Sequence, residues 1–184
     1  MFELMCELPW RPEKFTKEEW LKDYLFARYG VRDEKIEKAW TLLANTIYNC
    51  PFGNNQQGPH ESIFCGRPSL NNFQASSWSK MKNYYDPTVT EEAARLMVEV
   101  ADKYRGNNNF EYDLVDIVRQ SNADKGNVLL EEISQSYDRK DKEDFRKQTQ
   151  QFLDLILAQD RLLSTRKEFS VSSWLNAALS LIHI

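Results

Sequence analysis

Asp113 and Asp116 are the pair in this 184-residue chain best spaced for acid–base chemistry. Positions i and i+3 of a helix share a face and can set a proton donor beside an acceptor. Their neighbourhood favours a plainer reading. Both fall near an expected helix start, where the backbone dipole favours negative charge, and Arg119 stands three residues beyond Asp116, so an ion-paired capping cluster is expected. Cys50, His60 and Cys65 suit zinc by ligand type, but the nearby sequence offers no fourth ligand and the sulfurs lack the short spacing of zinc fingers. Cys6, Cys50 and Cys65 are odd in number, so at most one intrachain bridge forms. Cys50 and Cys65 would close part of a loop in an oxidising compartment, and otherwise three reduced, partly buried thiols are expected. His60, in Gly58-Pro59-His60-Glu61, either lines a pocket or sits in water. Arg67-Pro68-Ser69-Leu70, followed by Trp78 and Tyr84-Tyr85, sets a guanidinium on a stiff turn near aromatic faces. That combination suits stacking on a sugar, and packing on a neighbouring domain explains the same residues. No nucleophile elbow, phosphate-cradling glycine loop, His-Glu metal helix or dinucleotide fingerprint occurs.

These residues must be held by helices, because apolar residues recur at three-to-four spacing along most of the chain. Residues 1–8 read as the last turns of a helix stopped by Pro9 and Pro12. Thr16-Lys17-Glu18-Glu19 is a capping box, and Trp20, Leu21, Tyr24, Leu25 and Tyr29 continue one face to Gly30. A second helix follows from Asp33, carrying Ile36, Trp40, Leu43, Ala44 and Ile47 up to Asn49, and the short link makes the two antiparallel neighbours. Thr90 starts a third, ended by Gly106, and Asn107-Asn108-Asn109 reads as a turn. A fourth is expected from Tyr112 to about Tyr137, with Gly126 a weak point costing about 1 kcal/mol relative to Ala. Asp141 opens a fifth whose inward face is Phe145, Thr149, Phe152, Leu153, Ile156, Leu157 and Leu163. No run of alternating strand residues competes, so the fold expected is an all-α antiparallel helical array.

One stretch escapes this periodicity. Between Asn49 and Thr90 the chain is crowded with Gly, Pro, Asn and aromatics, with room for a short helix at 76–83. An irregular connection of about forty residues inside a domain is uncommon and usually functional, docked or disordered. Phe52, Phe64, Phe73, Trp78, Tyr84 and Tyr85 carry more apolar surface than a solvated tether, so this long aromatic-rich loop is expected to pack on something.

The bulk properties narrow the function classes. Net charge is -4, and the basic residues interleave with acids, as in Arg139-Lys140-Asp141-Lys142-Glu143-Asp144, which reads as a solvated helix surface and excludes a phosphate-binding stripe. No apolar run approaches about twenty residues, so neither nucleic acid nor membrane is an expected partner. Both ends read as interrupted helices: Met1 leads into Phe2-Glu3-Leu4-Met5 without a basic start or cleavage site, and the helix begun at Trp174 runs into Leu181-Ile182-His183-Ile184 uncapped.

The order Arg28-Tyr29-Gly30-Val31, Trp40-x-x-Leu43, Ile47-Tyr48-Asn49-Cys50, Arg67-Pro68-Ser69-Leu70, Trp78, Tyr112-Asp113-Leu114-Val115-Asp116-Ile117-Val118-Arg119-Gln120 and Ser173-Trp174-Leu175 resembles the C-terminal helical region of the α-N-acetylglucosaminidases. The match spans nearly the whole chain. The resemblance implies an enzyme of three parts: a small α/β domain, a (β/α)-barrel that carries the chemistry, and an all-α domain packed on it. Residues 1–10 are similar to the end of the barrel's final helix, and 11–184 to the helical domain, interrupted at its far end. Members of the family are retaining hydrolases of terminal α-linked N-acetylglucosamine, in heparan sulfate or mucin-type glycans. Retention takes two carboxyls about 5 Å apart, one as nucleophile and one as acid/base. The resemblance places both before Met1, so no catalytic residue is expected here, and Glu3 and Glu7 read as helix-surface charges. His60, Arg67, Ser69 and Trp78 are the candidates for reaching the barrel's mouth and the sugar, because pockets favour domain interfaces and barrel loops.

The partners then expected are the catalytic barrel of the same polypeptide and, through it, a glycan, with no cofactor and no metal. The rival is a free-standing helical module that binds proteins through its aromatic loop. The absence of any Asn-x-Ser/Thr acceptor fits a bacterial periplasmic or secreted enzyme better than a lysosomal one.

Overall fold

The computed structural model describes residues 2–11, 14–50, 62–66, 69–70 and 83–182, and among them every regular element is helical. Helix α1 (Phe2–Glu7) runs into a tight turn at Leu8–Trp10 that contains Pro9. Helix α2 (Lys17–Tyr29) opens on the predicted capping box: Thr16 Oγ1 accepts from the Glu19 amide at 3.2 Å, and Glu19 Oε2 accepts from the Thr16 amide at 2.7 Å. It closes at Gly30, whose φ of 77° puts it in the left-handed region that glycine enters without steric cost. Helix α3 (Glu34–Asn45) starts from Asp33, whose side chain accepts from the Lys35 amide.

Beyond the loop come α4 (Thr88–Glu99), a short turn at Ala101–Tyr104, α5 (Asn108–Asp138), α6 (Lys142–Leu163) and α7 (Val171–Ile182). Asp141 caps α6 as expected, accepting from the amides of Glu143 and Asp144. At 31 residues, α5 is about 46 Å long and is the backbone of the molecule. The sequence of packing is α2 on α3, α3 on α4, α4 on the first half of α5, and α6 on the second half.

Several expectations need correction. Helix α5 begins at Asn108, four residues before the expected Tyr112, because Asn107 is its cap and accepts from the Phe110 amide at 3.2 Å. The triple asparagine is therefore a helix start, fixed from outside: Asn107 Nδ2 and Asn109 Nδ2 each donate at 2.9 Å to the carbonyls of Tyr29 and Arg28 at the end of α2. Helix α4 begins two residues early, at Thr88, and Thr90 is buried within it. Helix α3 ends at Asn45, with residues 46–49 forming a turn. On α6, Phe152 is buried, but Leu153, Ile156 and Leu157 are exposed, not inward. Cys6, Cys50 and Cys65 are unbridged, and all three are exposed where partial burial was expected.

Two apolar clusters result among the described residues. The larger joins α2, α3, α4 and the first half of α5 around Leu25, Ile36, Ala39, Met97 and Phe110. The smaller consists of Ile63, Leu129, Leu130, Ile133 and Phe152, so its third wall is a piece of the loop.

Candidate functional site

The described parts of the loop are mounted on α5 at successive levels. The first is Asp124, which is 1% exposed. Its carboxylate accepts from Asn83 Nδ2 at 2.6 Å, Tyr85 Oη at 3.1 Å, Thr90 Oγ1 at 2.7 Å and Gln120 Nε2 at 3.0 Å. A carboxylate has about four acceptor positions, so these donors saturate it and replace the water it loses on burial. Burial, reinforced by the Asp124 charge, pushes the Tyr85 phenol well above its ordinary range, which keeps it a donor. Beside it, the Tyr84 hydroxyl donates to the Ile47 carbonyl in the turn after α3. The exit of the loop is thus tied both to α5 and to the turn from which the loop departs.

The second level is Gly126. A methyl group built there would lie 2.8 Å from Ile63 Cγ2, closer than side-chain carbons tolerate, with the Phe64 ring 3.4 Å away. The glycine in mid-helix, a weak point by propensity, is what lets the Ile63–Cys65 turn sit directly on the helix. Ser62 caps that turn by accepting from the Phe64 amide, and the Phe64 ring leans on Phe152 of α6, with centroids 6.2 Å apart. The third level is Ser134, whose hydroxyl donates to the Leu70 carbonyl at 2.8 Å.

Of the predicted site residues, Ser69 is half-buried next to that anchored carbonyl and is itself engaged in an interaction. His60, Arg67 and Trp78 lie outside the described residues, as does the expected short helix at 76–83 except for its last residue, Asn83. Among the described residues no three His, Cys, Asp or Glu side chains cluster as metal ligands, and no helix is long and apolar enough to cross a membrane. Asp124, Gly126 and Ser134 were not singled out by the sequence as holding the loop. Gly126 carried the one usable signal, a glycine in a strong helical pattern.

The Asp113–Asp116 pair is not an acid–base couple, and it does not cap the helix. The early start of α5 puts Asp113 in its second turn, 6% exposed. Arg28 of α2 grips it with both arms, Nε at 2.5 Å and Nη2 at 2.7 Å, and Tyr29 Oη donates at 2.6 Å. Tyr29 in turn accepts from Trp40 Nε1 at 3.0 Å, so one carboxylate connects three helices. The bidentate contact with Asp113 holds the Arg28 guanidinium firmly charged, and burial keeps the Tyr29 phenol protonated. Asp116 faces elsewhere and pairs with Arg119 at 2.5 Å, the ion pair the spacing predicted. Asp113 and Asp124, the two buried aspartates, are engaged in holding helices and loop.

Comparison with known proteins adds what the geometry alone does not supply. A family model described as the alpha-N-acetylglucosaminidase (NAGLU) C-terminal domain matches residues 20–183. The human alpha-N-acetylglucosaminidase is 30% identical over 180 residues, which are 97% of this chain and 23% of that protein. Among solved structures, a Clostridium perfringens protein carrying two Glu-to-Gln changes, in complex with its substrate GlcNAc-alpha-1,4-galactose, superposes with a TM-score of 0.87 at 31% identity, over 95% of this chain and 20% of that one. The same coverage, identity and TM-score hold for a family 89 glycoside hydrolase from Clostridium perfringens in complex with 2-acetamido-1,2-dideoxynojirmycin. The chain therefore spans about a quarter or less of the length of these relatives.

Proposed function

Because this chain belongs to the C-terminal domain family of the alpha-N-acetylglucosaminidases, we propose that it is the non-catalytic helical part of such an enzyme, packed on a catalytic barrel of the same polypeptide. Its loop, held by α5, helps shape the pocket for a terminal α-linked N-acetylglucosamine. The observation that carries this reading is the mount itself: a buried aspartate, a glycine with no room for a methyl group, and a serine fix points of one loop along one rigid helix. A tether needs no such fixing, whereas a loop that must meet a substrate does, because small displacements of positioning groups cost large factors in rate.

In this division of labour the barrel provides both carboxyls of the retaining reaction. One attacks the anomeric carbon while the other protonates the leaving oxygen, and water then releases the sugar. This domain contributes His60, Arg67, Ser69 and Trp78 to the rim of the pocket, with Arg67 donating hydrogen bonds and Trp78 offering a stacking face. Residues 1–10 belong to the end of the barrel and 11–184 to the helical domain. The setting is periplasmic or secreted in a bacterium, or lysosomal in a eukaryote.

The exposed row Leu153, Ile156 and Leu157 on α6 supports the packing half of the reading, since a contiguous apolar stripe is the usual mark of a surface that a partner covers. Alanine at Arg67 or at Trp78 in the complete enzyme tests the other half. A raised KM for an aryl α-N-acetylglucosaminide with an unchanged unfolding midpoint is expected. Unchanged turnover together with unchanged stability would leave the loop without a role.

A further inference from the structure

We propose that the cleft between α1, α2 and the turn after α3 binds one neutral pyranose ring, independently of the reading above. The cavity measures about 280 Å³. That is the foot of the roughly 300–1,000 Å³ range of small-molecule sites, so it admits a single ring and little more. Among the described lining residues, Trp20, Tyr24, Trp40 and Tyr48 supply aromatic rings, and Glu3 and Lys17 supply one charge of each sign.

The rings are fixed before any ligand arrives. Trp20 stacks on Tyr24 with centroids 5.1 Å apart at 15°, and Trp40 meets Tyr24 edge-on at 6.4 Å. Both indole N–H groups are committed elsewhere, Trp20 Nε1 to Glu7 at 3.0 Å and Trp40 Nε1 to the Tyr29 hydroxyl at 3.0 Å. What they offer the cleft is therefore ring surface. Lys17 is steadied by Asn45 Oδ1 at 2.5 Å, and Tyr48, 52% exposed, leaves half its surface open although it lines the cavity.

A ligand suited to this cleft needs an apolar face for the rings, hydroxyls for a carboxylate and an ammonium, and no net charge, because Glu3 and Lys17 balance. A pyranose meets all three requirements through its C–H face and its equatorial hydroxyls. A methylated ammonium, which aromatic cages also take, finds no excess of negative charge among the described lining residues to hold it.

Saturation-transfer NMR on the full chain, with methyl N-acetylglucosaminide, methyl galactoside and choline as separate probes, tests the assignment. Saturable transfer to a pyranoside is expected, weakened by about tenfold or more in Tyr48→Ala and kept within about twofold in Tyr48→Phe, where the ring persists. Absence of saturable transfer, or transfer unchanged in Tyr48→Ala, overturns the proposal. Tighter binding of choline than of either sugar overturns it as well. Should Tyr48→Ala lose helical content by circular dichroism, Lys17→Ala, on an exposed position, carries the same test with about a threefold loss expected.

Discussion

The two halves of α5 carry two differently finished structures. Its first half is enclosed by α2, α3 and α4, with fifteen buried apolar residues in one cluster and the Arg28–Asp113–Tyr29–Trp40 chain tying three helices together. Among the described residues its second half meets α6, pieces of the loop and, through Asp124, Thr90 of α4, with five buried apolar residues in its cluster and an exposed row on α6. Both halves rest on one buried aspartate. Asp113 binds helix to helix, whereas Asp124 binds helix to loop. The first half is a core closed by helices, and the second is a platform on which the loop is mounted.

The contrast is most sharply tested at Asp113. Asp113→Ala leaves the Arg28 guanidinium and the Tyr29 hydroxyl without their partner in the core, and the removal of one member of a buried pair costs about 3–5 kcal/mol. Chemical denaturation should show that loss across the whole of α2–α5. A small loss confined to one helix would show that the first half is less tightly integrated than its packing implies.

At Gly126, in the second half, helix propensity and packing make opposite forecasts. In an ordinary helix Gly126→Ala would stabilise by about 1 kcal/mol. Here the methyl group meets Ile63, and overpacking of this kind costs about 1–3 kcal/mol. The damage should be local. Limited proteolysis in the loop is expected to accelerate while hydrogen exchange in α2–α4 stays unchanged, and a stabilised variant would show that the turn does not bear on the helix.

Acid should loosen the first half at Asp33. Asp33 caps α3 and also accepts from Lys103 Nζ at 2.8 Å and Tyr104 Oη at 2.9 Å, tying α3 to the turn after α4. Burial pushes its carboxyl up, but Lys103, Tyr104 and the Lys35 amide outweigh burial and hold it below the ordinary 3.8. A carboxyl depressed in the folded state contributes all of its stability above the unfolded pKa and loses it as pH falls through the lower folded one. The difference between the parent and Asp33→Ala, about 1 kcal/mol at neutral pH, should therefore shrink below pH 3.8. A difference that persists at lower pH would show that the carboxylate is not what counts.

The smallest effect is expected at Leu157, 52% exposed on α6. Leu157→Glu in the chain alone should alter stability by no more than about 0.5 kcal/mol. In the complete polypeptide the same change should lower the unfolding midpoint, and equal behaviour in both contexts would mean that nothing covers the stripe.

Local chemistry was legible in the sequence. The Thr16–Glu19 box, Gly30 at the end of α2 and Asp141 at the start of α6 act within a few residues of themselves, so spacing suffices to find them. Asn107 was misread because three asparagines resemble a turn, and the carbonyls of Arg28 and Tyr29 that favour a helix start there lie about eighty residues away. Asp124 was overlooked for the same reason, since its partner Asn83 is 41 residues off and nothing local marks the pair. On α6 the periodicity identified an apolar stripe wider than α5 can cover. Pattern reports which residues want burial, not which surface will bury them.

Hydrolysis of an aryl α-N-acetylglucosaminide, measured for this chain alone and for a complete polypeptide that joins it to the family's barrel, bears most directly on the division between scaffold and catalyst. No cleavage is expected from the isolated chain, whose buried aspartates are already committed. The complete polypeptide should cleave. Turnover by the isolated chain would place the reacting carboxyls within these 184 residues and contradict the proposed role.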